Sequence, residues 1–223
     1  MAGKKVVLSA LSFAVLSLSG CDFPAQDRLE VVADQADAVA AAYAGVDLSD
    51  PPTMPTSGQA TYNGLAGLAV NKGGGLADAY AGRAEFTANF TGAGGTISGE
   101  FTDFVQQQDV KTEDITAFLA SAKALRTQGG DAGQLAADFF VKPEAVEGSI
   151  TVRPAAIAGA YFAPTFDGSI QGAADITVAG SGDGFFFGDT GEVLSVEAST
   201  DEKLVVTRDG ANASGMLIAL GAQ

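Results

Sequence analysis

Apolar positions recur along the chain with two different periods. Leu29, Val32, Ala36, Val39 and Tyr43 lie at spacings of 3, 4, 3 and 4, with Asp34, Gln35 and Asp37 on other faces. That spacing predicts an amphipathic helix over about residues 26–44, ended by Gly45. Pro51, Pro52 and Pro55 follow among Ser, Thr and Asp, the composition of a stiff linker. From Tyr62 the period becomes two. Tyr80, Gly82, Ala84, Phe86, Ala88 and Phe90 alternate with Ala81, Arg83, Glu85, Thr87 and Asn89. Val146–Val152, Phe166–Val178 and Leu194–Ala198 repeat the pattern, and strand-like runs lie at 60–70, 96–105, 203–208 and 214–220. Each reads as a half-buried strand. Gly-rich turns at Lys72–Gly75, Gly92–Gly95, Gly180–Gly184 and Asp209–Gly210 separate many of them.

About eight strands joined by short turns predict a mainly β, antiparallel meander, closed as a barrel or stacked as a sandwich. Small residues interleaved with Phe on one phase favour the barrel, where Gly relieves crowding between coiled strands. A transmembrane barrel would be apolar outside and polar inside. Here the phase opposite Phe and Ile carries charged pairs such as Arg83/Glu85, and the chain has no Trp and 4 Tyr for interfacial girdles. A water-facing barrel with a packed core is therefore expected.

One segment departs from period two. Ile115, Phe118, Leu119, Ala122 and Leu125 follow an N-cap candidate, Thr112, and form a helical stripe closing near Gly129 and Gly130. A second short helix is expected from Asp131 through Leu135 and Phe139 to Val141, stopped by Pro143. Residues 106–145 thus read as a short helical insertion. It serves either as a plug that closes one barrel end or as a lid or partner-binding element over a barrel mouth.

The first residues change the picture of where such a barrel resides. Lys4 and Lys5 precede the apolar run Val6–Ser19, too short for a membrane-spanning helix, which needs about 20 apolar residues. The run ends Leu18-Ser19-Gly20-Cys21, which resembles the bacterial lipobox, and Cys21 is the chain's one cysteine. The resemblance implies a signal peptide over 1–20, diacylation of Cys21, and an exported protein held in the bacterial envelope by lipid. Asp22 resembles an inner-membrane retention signal in enteric bacteria, so inner and outer membrane both stay open, with the outer membrane or cell surface expected. The helix and linker occupy 21–58, and the barrel domain 59–223. Loss of Lys4 and Lys5 would leave 10 basic against 27 acidic residues, a charge of −17.

The same strands carry a second resemblance. Gly95-Thr96-Ile97-Ser98-Gly99-Glu100-Phe101-Thr102-Asp103-Phe104 is similar to strands in the barrels of transferrin-binding protein B-like surface lipoproteins. So are Gly184-Phe185-Phe186-Phe187-Gly188 before a strand at Val193–Ser199, and the closing Ser214–Ala219. The family implies an eight-stranded antiparallel barrel, lipid-anchored and often exposed at the cell surface, that binds ligands without catalysis. This chain has one barrel rather than two lobes and replaces the usual Gly pair by Glu192-Val193-Leu194. Neither transferrin binding nor any binding residue carries over.

Composition narrows the chemistry. With no His, a Ser-His-Asp or Cys-His catalytic unit cannot be built, and imidazole ligation of zinc or haem iron is ruled out. A formal charge of −15 without Lys/Arg clusters argues against nucleic-acid binding. Asp189-Thr190-Gly191 matches the aspartic-protease triplet, but that chemistry needs two such Asp, so a single copy would require a dimer. A turn-forming Asp is the simpler reading. Asp183, Asp189 and Glu192 offer oxygen ligands for Ca²⁺ at a spacing that fits no EF-hand. The aromatic residues offer the remaining candidate. Tyr80, Phe86, Phe90, Phe166 and Phe186 would line a ligand cavity inside the barrel, or simply fill its core. The expected protein is no enzyme and has no cofactor. It is an envelope lipoprotein that binds a protein or a small apolar ligand, with a ligand-free structural lipoprotein as the alternative.

Overall fold

The computed structural model describes residues 24–48, 51–92, 94–128 and 130–223. The first 23 residues, with the lipobox-like Cys21, lie outside them. The chain folds as a closed, eight-stranded antiparallel β-barrel with three helices among the described residues. The first strands are β1 (Gly58–Gly73), β2 (Leu76–Thr91), β3 (Gly94–Lys111) and β4 (Glu147–Ala158). The next four are each interrupted once: β5 (Tyr161–Phe162 and Thr165–Gln171), β6 (Asp175–Ser181 and Asp183–Phe187), β7 (Val193–Ser199 and Leu204–Arg208) and β8 (Ala211–Ala213 and Gly215–Ala222). Neighbours in sequence are neighbours in the sheet, and β8 returns to pair with β1, Leu65 opposite Leu220. Closure leaves no free edge in the barrel wall.

Alternation puts Tyr62, Ala66, Leu68 and Val70 of β1 into the core, with Ala84, Phe86, Ala88 and Phe90 of β2. Charged residues take the outer phase, where Arg83 pairs with Asp103 at 3.3 Å and Arg153 with Asp167. The barrel is thus apolar inside and charged outside, the reverse of a transmembrane barrel. Two bulges re-aim β3. Register slips on either side of Asp103 and Asp109, whose φ is 55° in both. An extra residue at a bulge exchanges the two phases, so Phe101 and Phe104 both point inward while Val105 faces out.

The run expected as one strand over Phe166–Val178 is two. Gln171 pairs with Asp175 around the loop 172–174. Paired residues share a face, so a loop of odd length leaves odd positions outward on both strands. Alternation passes through such a turn without a break, and periodicity alone does not see it.

Helix α1 (Ala25–Tyr43) crosses the outside of the wall. Leu29 and Val32 pack on Ala79, Ala81 and Val105, while Val39 and Tyr43 pack near Val193, Leu65 and Leu220. Arg28 fixes its first turn, donating to Val146 O at 2.6 Å, Phe104 O at 3.3 Å and Glu147 Oε1 at 2.8 Å. Tyr43 fixes its last, donating to Leu194 O at 2.7 Å. Between β3 and β4 come α2 (Thr112–Gln128) and α3 (Ala132–Phe139), a shorter insertion than the expected 106–145 because β3 runs on to Lys111. Asp131 caps α3 by accepting from Gln134 N at 2.6 Å. Gly133 lets α3 approach α1 closely: its N–H donates to Asp37 at 2.8 Å, and a Cβ there would stand 2.9 Å from Ala33 O.

Neither the plug nor the mouth lid expected from the sequence is realised. The helices lie against the outer wall of β1, β2 and β8. The physical reason is in the outward phase, which becomes apolar over Leu65, Gly67, Ala69, Ala79, Ala81, Met216, Ile218 and Leu220. A sheet with both faces apolar must be covered on both.

Candidate functional site: an apolar space outside the barrel

The five aromatic residues proposed to line an inner cavity are all buried, between 0% and 5% exposed. Phe86 meets Phe101 at 5.5 Å, Phe90 meets Phe186 at 6.1 Å and Phe101 meets Phe166 at 6.3 Å, separations at which aromatic rings pack. Tyr80 accepts from Gln106 Nε2 at 3.1 Å. These side chains belong to one continuous hydrophobic cluster along the barrel axis.

Both barrel ends are tied by polar groups. At one end Tyr62 donates to Gly191 O at 2.7 Å and accepts from Gln223 Nε2 at 2.9 Å. Burial pushes the Tyr62 phenol up to about 12; the Gln223 bond works against that rise and Glu192 adds to it. The Asp189-Thr190-Gly191 loop belongs to this end. Asp189 is exposed, its carbonyl accepts from Thr53 N at 2.9 Å, and Thr190 Oγ1 donates to Glu192 at 2.8 Å. Burial opposes ionisation of Glu192, but backbone amides and the Thr190 hydroxyl outweigh it and hold its carboxyl below the usual range. At the other end the buried Asp78 carboxylate meets Lys72 Nζ and Arg208 Nη2, each at 3.2 Å. The hydrogen bond to Asp109 is the main cause that raises Lys72 above the ordinary lysine value.

Asp183 is engaged by the Tyr161 hydroxyl at 2.7 Å, apart from the Thr190–Glu192 pair. Among the described residues no group of three or more His, Cys, Asp or Glu is placed to hold a metal ion.

The empty space lies on the other side of the wall. A partly open apolar cleft of about 140 Å³ lies between the barrel exterior and the three helices. Its floor is the outward phase of β1, β2 and β8. Val32, Ala36, Val39 and Ala40 of α1 form one side, and Leu135, Ala136 and Phe139 of α3 another. Ile115, Phe118, Leu119, Ala122 and Leu125 of α2 form the roof. No Asp, Glu, Lys or Arg lines it. An apolar space of about 150 Å³ accommodates a guest the size of benzene. Of the five aromatic candidates, Tyr80 alone also borders this space.

The floor carries a legible sequence signal that a search for aromatic residues passes over. Gly67 faces the cavity, and a Cβ built on it would find one atom within 4 Å, Tyr80 O at 3.9 Å. Polar residues drop out of the outward phase over Leu65–Ala69, Ala79–Ala81 and Met216–Leu220, as they do at Phe185, Phe187 and Val193, while the same phase elsewhere keeps Arg83, Glu85, Thr87 and Arg153. No protein-family model matches the chain, and no curated protein matches it.

Proposed function

We propose that the protein is an envelope-anchored, non-catalytic binding module for a small apolar ligand, and that the space beneath α2 is its site. The observation that carries this reading is the cleft itself, about 140 Å³ of apolar space between three helices and the barrel wall. Cavities of this kind forfeit packing energy in the free protein, at a cost that grows with their volume. A guest recovers that energy without disturbing the barrel. Anchoring rests on the Leu18–Cys21 motif, and the likeness to transferrin-binding protein B-like barrels supports binding over catalysis.

The test is calorimetric titration of the full chain with benzene, in the native protein and in Gly67→Leu. The new side chain projects into the cavity. Saturable binding that Gly67→Leu abolishes is the expected result. Absence of binding to the native chain would favour the ligand-free structural lipoprotein. Mass spectrometry of the protein from bacterial membranes addresses the anchor separately, with a diacylated Cys21 at the N-terminus as the expected species.

A further inference from the structure

We propose that the outer face of β6 and β7 docks a basic protein segment, with an arginine side chain seated against the Phe185 ring and the Asp183/Glu197 pair. None of these residues lines the cleft, so the proposal stands apart from the binding reading above. The outward Tyr161, Phe185 and Phe187 make a row of rings. Tyr161 meets Phe185 at 5.4 Å, and Phe185 meets Phe187 at 6.4 Å. One end of the row is covered, where Phe187 packs with Tyr43 of α1 at 6.5 Å. The other end is open to solvent. Tyr161 is 37% and Phe185 43% exposed, and among the described residues no other aromatic side chain is exposed.

Two carboxylates sit beside the open end. Asp183 lies two residues before Phe185 on the same outward phase, and Glu197 of β7 stands directly opposite Asp183. Like charges directly opposite across a strand pair are destabilising. Among the described residues neither carboxylate forms an ion pair with a Lys or Arg. The hydrogen bond from the Tyr161 hydroxyl to Asp183 at 2.7 Å ties the rings to the acids. The turn after Ser199 adds Asp201 and Glu202 against the single base Lys203. Exposed rings and an unneutralised like-charge pair are both unfavourable in the free protein, and one cation relieves both. A cation is drawn to an aromatic face. The planar guanidinium of arginine stacks on a ring while its fork donates to carboxylates, which a lysine ammonium does not do. Small-molecule sites are concave, whereas the outside of a barrel is convex and suits a segment lying across it. The chain's charge of −15 opposes a second copy as the occupant.

The experiment is calorimetric titration of the full chain with acetylated, amidated tetra-arginine, tetralysine and tetracitrulline peptides. An ionic strength of about 0.15 M confines charge effects to about 8 Å. Tetra-arginine should bind, tetralysine more weakly, and neutral tetracitrulline not at all. Phe185→Ala and Glu197→Gln should each weaken tetra-arginine about threefold. Asp34→Asn removes the same charge from an exposed position about 14 Å along α1 from Tyr43, and should leave affinity unchanged. Glu197→Gln should keep or raise the Tm, because it relieves the like-charge pair. A lowered Tm would overturn the proposal by showing that this carboxylate serves the fold. So would tetralysine as tight as tetra-arginine, an unaltered affinity in Phe185→Ala, or an equal loss in Asp34→Asn, each of which reduces the effect to diffuse attraction by an acidic chain. Absence of tetra-arginine binding would also overturn it. Every one of these outcomes leaves the cleft reading intact.

Discussion

At the residue scale, two buried polar side chains decide how securely the parts are joined. Arg28 is 7% exposed and satisfies two carbonyl groups and a carboxylate at the foot of α1. Removing it takes that donor from Val146 O, while Phe104 O keeps its bond from Val146 N at 3.1 Å; an unsatisfied buried acceptor costs about 1–3 kcal/mol. Arg28→Ala should therefore destabilise the chain by about 1–3 kcal/mol in urea unfolding. The loss should concentrate in α1, read as faster amide hydrogen exchange there than in β1. Tyr62 makes a pH-dependent contribution. Its phenol titrates at about 12 instead of 10.0 because burial disfavours the ionised form. A group whose pKa rises on folding stabilises the fold fully below its unfolded pKa. That stability is lost as pH climbs from about 10 to about 12. Stability should fall across this window, and Tyr62→Phe should flatten the fall, measured by urea midpoints at a series of pH values. Arg28 was within reach of the sequence, since positions 28, 32, 36 and 40 form one row of the helix. A charged residue at the head of an apolar row points to a buried partner, but which carbonyls it meets depends on where the helix lands. The partners of Tyr62, Gly191 and Gln223, lie far along the chain and became neighbours only through barrel closure.

At the element scale, period 3.6 located all three helices to within a few residues and period two located most strands, but the Gly-rich run Gly180–Gly184, expected as a turn, lies within β6, and β3 and β4 run on past Val105 and Val152 to Lys111 and Ala158. Periodicity did not locate the turn at 172–174, because an odd loop keeps the phase, nor the bulges at Asp103 and Asp109, which change it. It also left open where the helices dock. Amphipathic stripes state that a helix must be covered but not by what. The answer lay in the strands, whose outward phase loses its polar residues where α1 and α2 lie. Gly67 is the point at which this pairing leaves a gap. A leucine there would bury side-chain surface worth about 1.5–3 kcal/mol in full. Allowing for imperfect fit, Gly67→Leu should stabilise the chain by about 1–2 kcal/mol, a rise of roughly 3–6 °C in Tm, seen by scanning calorimetry. A lower Tm would mean that the helices already close on the floor without space between them.

At the scale of the whole molecule, the barrel is a scaffold with two uses of its wall. The inner face builds the core, and one sector of the outer face, under the helices, borders the apolar space. An aromatic set in an eight-stranded barrel invites a search for a ligand inside it, and that is where sequence reading placed Tyr80, Phe86, Phe90, Phe166 and Phe186. The structure packs these residues against one another. The cavity was harder to read because its floor is made of Gly and Ala, residues that mark a site by the bulk they lack. The most direct test of a site outside the barrel is methyl-detected NMR of the full chain titrated with benzene. The expected result is saturable shifts at the methyl groups of Met216, Ile218, Leu119 and Ile115, with Ile150, Ile170 and Ile176 of the core unmoved. Shifts confined to the core isoleucines, or none at any of these methyls, would contradict it.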